Sequence, residues 1–306
     1  MTRKNHFSFI VVGKTGESTE GQFKRYMGVG SSFVKGVNPT KKELDEFFGF
    51  ETANEPEYLK DADDGKQAFI NILVQTDPEK CNGIDLKARL SIMFQNTPAY
   101  NKDKTKVQVI DDYGNHQWVN VEDAKAGKKI LSSDGKEQKI DAKYRMACTG
   151  ECDLVDFLKA YLCVPDAFNY VNGAWVKKDD AKDALFGLEH IKDYFKGDFS
   201  EIKEAIALQP NNKVKLLYGI RTTDEGKQVQ TVASKGELIL RNSAGASSLA
   251  RLEKALASAK SAGSYQNVEF KVQELAEYEV QPANLQQPVQ QAQADGGASS
   301  NDAPWD

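Results

Sequence analysis

Residues 86–94, LKARLSIMF, put Leu86, Ala88, Leu90, Ile92 and Phe94 on one face and Lys87, Arg89, Ser91 and Met93 on the other. Strict alternation with one polar face marks a half-buried antiparallel strand. Such a strand needs partners on its edges and a core beneath it, so most of this chain must supply them. Further runs do: HFSFIVVG (6–13), AFINILVQT (68–76) and KVQVIDDYGNHQWVNV (106–121), the last a hairpin turning near Gly114. Asn82-Gly83, Gly114-Asn115 and Asp134-Gly135 separate them, each a dipeptide that accepts positive φ. Residues 1–147 therefore read mostly as strands.

The period changes over residues 153–209. DLVDFLKAYLCVP spaces Leu154, Phe157, Leu158, Tyr161 and Leu162 as a helix starting on Asp153 and stopping before Pro165. DFSEIKEAIALQP repeats the design, with Asp198 three residues ahead of Glu201 as a capping-box-like start. Strands return in KVKLLYGIRT (213–222), a turn at Asp224 to Gly226, and KQVQTVA (227–233). Val214, Leu216, Tyr218 and Ile220 share one face of KVKLLYGIRT; Lys213, Lys215 and Arg221 share the other. A serine-capped helix, SLARLEKALASAKSAG, and a strand, NVEFKVQEL, follow. Strands, helix, then a closing hairpin is an α+β order, and it matches an OB-fold, whose helix lies between its third and fourth strands. The fold class expected is a β-rich, elaborated OB-like barrel over residues 1–280, with a helical insertion at about 153–209.

From Gln281 the chain reads QPANLQQPVQQAQADGGASSNDAPWD, without Lys or Arg and nearly without branched apolar residues. Such composition buries too little apolar surface to offset ordering, so residues 281–306 are expected to be a disordered tail. Six of the 45 acids (Glu274, Glu277, Glu279, Asp295, Asp302 and Asp306) lie beyond Val272 with no base, leaving 39 acids against 40 bases before them. A near-neutral body carries an acidic tail tipped by Trp305. No run of about 18 apolar residues predicts a membrane span. Four cysteines without a paired framework fit a reducing cytoplasm.

Several chemical readings fail on spacing. VVGKTG puts Ser8 where a phosphate-cradling loop needs its first glycine. Gly28 and Gly30 would need a third glycine at Phe33 to make a dinucleotide fingerprint. YMGVGSSFVKGVNP reads instead as a bent or bulged strand that another backbone approaches. Cys148 and Cys152 have zinc-like spacing, but no second pair exists and His6, His116 and His190 are scattered. No nucleophile elbow, His–carboxylate pattern or carboxylate cluster appears, so neither an enzyme nor a cofactor is expected.

What remains is interleaving of rings and cations: Lys24, Arg25 and Tyr26; Lys87 and Arg89; Tyr100, Lys102 and Lys104; Tyr113 and Trp118 about a turn; Tyr144 and Arg145. Sequence-neutral binding of single strands uses this mixture, because any base stacks on a ring while cations follow the backbone. Strand aromatics are also ordinary core residues and loop lysines ordinary solubilisers.

The end, with Asp302, Pro304, Trp305 and Asp306, resembles the acidic tails of bacterial and phage single-stranded DNA-binding proteins, with Trp for the usual Phe and one residue beyond the aromatic. YMGVGSSFVKGVNPTKKELDEFFGFE, NEPEYL, VQTDPEKCNGI, VIDDYGNHQWV and DYFKGDFSEIKEAIALQPNNKVKLLYGIRT are similar to such proteins of crAss-like phages of gut Bacteroidales. The resemblance implies sequence-independent single-stranded DNA binding in phage replication, recombination or repair, inside the host bacterial cytoplasm. It also implies that the four tail residues recruit replication or repair proteins. The competing expectation is a non-enzymatic interaction or virion-associated scaffold that uses the same tail without nucleic acid. Either is compatible with a homo-oligomer.

Overall fold

The alternating run at residues 86–94 becomes the third strand of an antiparallel meander. The computed structural model describes residues 12–13, 24–52, 54–62, 65–111, 114–126, 144–162, 168–171, 174–177, 188–224 and 226–278. The expectations for residues 6–11, Tyr113, Asp134-Gly135, Cys163 and the tail 281–306 lie outside these. In chain order come β1 (Val12–Gly13), β2 (Arg25–Val37), α1 (Lys41–Phe48), β3 (Leu59–Ala62), β4 (Gly65–Thr76) and β5 (Leu86–Pro98). β2 pairs with β4 and β4 with β5, while β1 and β3 lengthen the edges at β5 and β4. The five apolar residues of the 86–94 run are buried with Ala68, Ile70, Ile72 and Val74 in one core, as the alternation requires. Asn82 and Gly83 turn the chain between β4 and β5 with φ of 53° and 77°.

The strand-rich reading of residues 1–147 passed over α1. Thr40 caps it: its hydroxyl accepts from the Glu43 N–H, and the Glu43 carboxylate accepts from the Thr40 N–H. Leu44 and Phe48 pack on Leu73, on the outer side of β4. The Asp45 carboxyl is held down at about 2 by the Lys41 ammonium and by Thr52, which ties the segment after α1 back to it.

Beyond β5, the strands β6 (Lys106–Asp111), β7 (His116–Asn120) and β8 (Tyr144–Met146), with α2 (Val121–Lys125), form a separate sheet in the order β7-β6-β8 over a small core at Val107 and Val109. The β6–β7 hairpin turns at Gly114 as expected. β9 (Cys148–Thr149) rejoins β5, and α3 (Glu151–Tyr161) follows. α3 starts two residues before Asp153, which instead accepts from Gly236 N–H and Lys235 Nζ. Its Leu154, Val155, Phe157, Leu158 and Tyr161 enter the barrel core. The hairpin β10 (Phe168–Val171) and β11 (Ala174–Lys177) precedes α4 (Leu188–Tyr194) and α5 (Ser200–Ala207). Asp198 accepts from Ser200 at the start of α5, without the expected box to Glu201.

β12 (Lys213–Thr222) then pairs back onto β2, and β13 (Gln228–Val232) onto β12. The order β5-β4-β2-β12-β13 is that of an OB barrel opened between its third and fifth strands, with α3 between the third and fourth. The fold is α+β and β-rich, a strongly curled half-barrel with a few helices. After a 3₁₀ turn (Gly236–Leu238) come β14 (Leu240–Arg241), α6 (Ala246–Ser261), β15 (Val268–Phe270) and β16 (Ala276–Tyr278). α6 is capped by Gly245 and not by a serine side chain. Its Leu252 and Leu256 bury Leu217, on the outer side of β12. The polar face expected of that strand at Lys213, Lys215 and Arg221 stays partly exposed, while Leu217, which shares that side, is covered. Among the described residues no helix is long and apolar enough to cross a membrane.

The glycine-rich run is the bent strand β2, with a register shift between Val34 and Gly36. Residues 273–275 cross it, bonded to Val29 on both sides. Gly28 makes room: its φ is 133°, and a Cβ there would lie 2.6 Å from Glu274 O. Gly28→Ala should therefore cost about 1–3 kcal/mol. Gly36→Ala, whose Cβ would meet only Leu73 Cδ1 at 3.7 Å, should change stability by less than about 0.5 kcal/mol. Urea unfolding midpoints check this, and equal midpoints for the two variants would refute the crossing as a constraint.

Candidate nucleic-acid interface

Register across four strands builds a line of side chains that no single segment shows. Lys213 of β12 lies opposite Phe33 of β2, Phe33 opposite Gln75 of β4, and Gln75 opposite Lys87 of β5. Their sequence neighbours Val214, Val34, Val74 and Leu86 are buried in the barrel, so this row faces outward. At the usual strand separation the row is about 14 Å long. Phe33 is half-buried, with Lys213 Nζ 4.6 Å and Lys35 Nζ 4.7 Å from its ring centre. At the other end Lys87 Nζ donates to Phe47 O at 2.6 Å and lies 5.2 Å from the Phe47 ring centre. Thus α1, by its seat on Leu73, brings a second ring to the row.

The two lysines at Phe33 differ in freedom. Lys213 is anchored to buried Asp77 at 2.5 Å, and that bond holds the Asp77 carboxyl below its ordinary value. Lys35 is exposed, with no carboxylate partner among the described residues. An exposed cation–π contact contributes about 0.5–1 kcal/mol, whereas a base stacked on an aromatic ring contributes about 1–3 kcal/mol. A base offered to this ring would outcompete the Lys35 ammonium for it, whatever the identity of the base.

The residues singled out by sequence fall into three separate places. At the start of β2, Lys24 is exposed and paired with Glu277 at 3.0 Å, and Arg25 donates to the backbone oxygens of Lys24 and Gln228. Tyr26, the next residue, is only 3% exposed: its ring is core, which removes it as a stacking platform. On β5, Lys87 belongs to the row, while Arg89 is half-buried next to Tyr58 and burial lowers its pKa. Around the small sheet, Tyr100 and Trp118 are 40% and 47% exposed, and Lys102 and Lys104 are exposed. Tyr100 bridges to Val107 and Trp118 pairs with Gln108, so the two rings stand in successive rows, which the pleat points to opposite faces. Tyr144 packs half-buried against that sheet's core, with its hydroxyl pushed up to about 12 by burial.

Arg145 is a correction. Both its terminal nitrogens bond the carboxylate of Glu151, which is fully buried and also accepts from the Cys148 N–H. It neutralises a core charge and is not a free contact for phosphate. Tyr113 and the tail residues Asp302, Pro304, Trp305 and Asp306 lie outside the described residues. Phe33, Lys35 and Phe47 were missed. The Phe33-x-Lys35 spacing on one strand face was a usable signal; its opposition to Lys213, some 180 positions away, was not.

Among the described residues no three His, Cys, Asp or Glu side chains are grouped to hold a metal. Cys152 is buried and Cys148 partly so, and burial pushes both thiols up, away from the thiolate form that binds zinc. His116 Nε2 lies 2.9 Å from Asp156 Oδ1 beside α3, away from the row. Compared with protein-family models, with curated proteins and with solved structures, the chain matches none.

Removing Arg145 leaves Glu151 buried and uncompensated, which costs about 3–5 kcal/mol. Arg145→Ala should lower the unfolding free energy by roughly that amount in urea titrations. The more exposed Lys102→Ala should leave it within about 0.5 kcal/mol. A stable Arg145→Ala variant would return this arginine to the list of ligand contacts.

Proposed function

We propose that the protein binds single-stranded DNA without base preference through the outer face of its half-barrel, in phage DNA replication or recombination. The supporting observation is the cross-strand row in which Phe33 is flanked by Lys35 and Lys213, with Lys87 and Phe47 at its far end. It combines a ring with cations on an open sheet, as single-strand binding requires. On the OB connectivity, β4 and β5 correspond to the second and third barrel strands, whose face binds oligonucleotides in that fold. The tail, with Asp302, Pro304, Trp305 and Asp306, recruits replication or repair proteins in this reading, and its support is the sequence alone.

Anisotropy of a labelled oligo-dT tests the row. Phe33→Ala should weaken binding by roughly 5- to 150-fold, the equivalent of one lost stack. Lys35→Gln should flatten the dependence of log affinity on log salt by about 0.7, the share of one phosphate on a single strand. Equal affinity for duplex and oligo-dT, or wild-type affinity in Phe33→Ala, would overturn the reading.

A further inference from the structure

A cleft of about 670 Å³ lies between α3 and α6. Lys159 of α3, Arg241 of β14, and Ser248 and Arg251 of α6 line it, together with Asp156 and Glu237. Arg241 and Arg251 are exposed and have no carboxylate partner among the described residues. The two carboxylates offset these cations in part: Asp156 is bonded to His116, and Glu237 has its pKa raised by burial and then by the Asp153 charge. Lys159 turns its ammonium to Gly114 O at 2.5 Å, and burial sets its pKa below the ordinary value against the opposing pull of the Asp156 and Asp111 carboxylates. Three cations against two carboxylates leave an excess of positive charge on this concave surface, with the two arginines exposed on it. Two guanidinium forks are the side chains best matched to a tetrahedral oxyanion, because each offers paired N–H donors.

The cleft is also continuous with the outer face of the barrel. Ser31, one outward position before Phe33, donates to Asn242 Oδ1 at 2.6 Å, and Lys215, one outward position after Lys213, donates to Ala244 O at 2.5 Å. The loop that carries these two acceptors joins Arg241 to the first turn of α6.

We propose that this cleft binds phosphate groups through Arg241 and Arg251. The phosphate can come from the backbone of a strand leaving the sheet row, which rests on the reading given above, or from a free phosphate compound, which does not. The full chain is titrated with inorganic pyrophosphate while the backbone amides of Ser243 to Ser248 are followed by NMR. Saturable shifts are expected, weakened at least tenfold in the double variant Arg241→Ala, Arg251→Ala. Because both side chains are exposed and unpaired, that variant should melt at the wild-type temperature, which the same samples report. No saturable shift, or equal affinity in the double variant, overturns the proposal. Oligo-dT then identifies the source: weaker binding by the double variant assigns a strand phosphate, and unchanged binding assigns a free one. Phe33→Ala, which should lose oligo-dT and keep pyrophosphate, separates failure of the cleft from failure of the row.

Discussion

The register between β2 and β12 is the constraint on which the rest of the molecule depends, and a buried polar staple fixes it. Gln230 of β13, 2% exposed, accepts from the Tyr26 N–H and donates to the carbonyls of Tyr26 and Gly219, tying β13 to β2 and β12 at once. Deeper in the barrel, the Ser32 and Tyr218 hydroxyls share a 2.7 Å bond between strands. Made, each such bond contributes about 1 kcal/mol net; left unmade in the interior, each polar group costs about 1–3 kcal/mol. A slip of one residue would break both sets and turn either Phe33 or Lys213 into the core, separating the pair. The outward row exists because the inward polar groups allow only one register.

Two helices divide the outer surface that this register creates. α1 sits on Leu73 and covers β4 toward Arg89, while α6 sits on Leu217 and covers the second half of β12. Between them is a strip carrying Lys35, Phe33, Lys213 and Lys215, with the polar edge of Gln75 and Lys87 beyond. The helices do more than bury apolar residues. α1 adds Phe47 to the strip, and the loop before α6 joins it to the arginine cleft. Additions to a minimal barrel have become the walls of a groove.

Much of the barrel was legible because strand alternation is a local signal. Leu86 to Phe94 and Val214 to Ile220 face inward as read, the turns fall at Asn82-Gly83, Gly114 and Gly226, and the bent strand is where the glycines put it. The failures are those of non-local information. Leu217 reads as solvent-facing until α6 is seen to cover it. Tyr26 and Arg145 stand in ring-and-cation clusters like the others in composition, yet one fills the core and the other answers buried Glu151. The box from Thr40 to Glu43 has a local spacing that the sequence carries, though the strand reading of residues 1–147 does not include it. For Phe33 the sequence offers only the neighbouring Lys35; its second lysine comes from the far half of the chain, where no local pattern points back to it.

The near-neutral body then sets how such a surface can work. With 39 acids against 40 bases up to Val272, the long-range field of the body is weak and would gather little nucleic acid from a distance. Of the cations in the row, Lys213 is already committed to Asp77 and Lys87 to a backbone oxygen, so in the proposed function few phosphates would be neutralised and few counterions released. Affinity would come mainly from stacking, which is short-ranged and needs a base free to leave its pair. A duplex, whose bases are held in their pairs, would gain little from such a surface. The preference for single strands that we propose would then follow from the scarcity of free charge as much as from the presence of the rings.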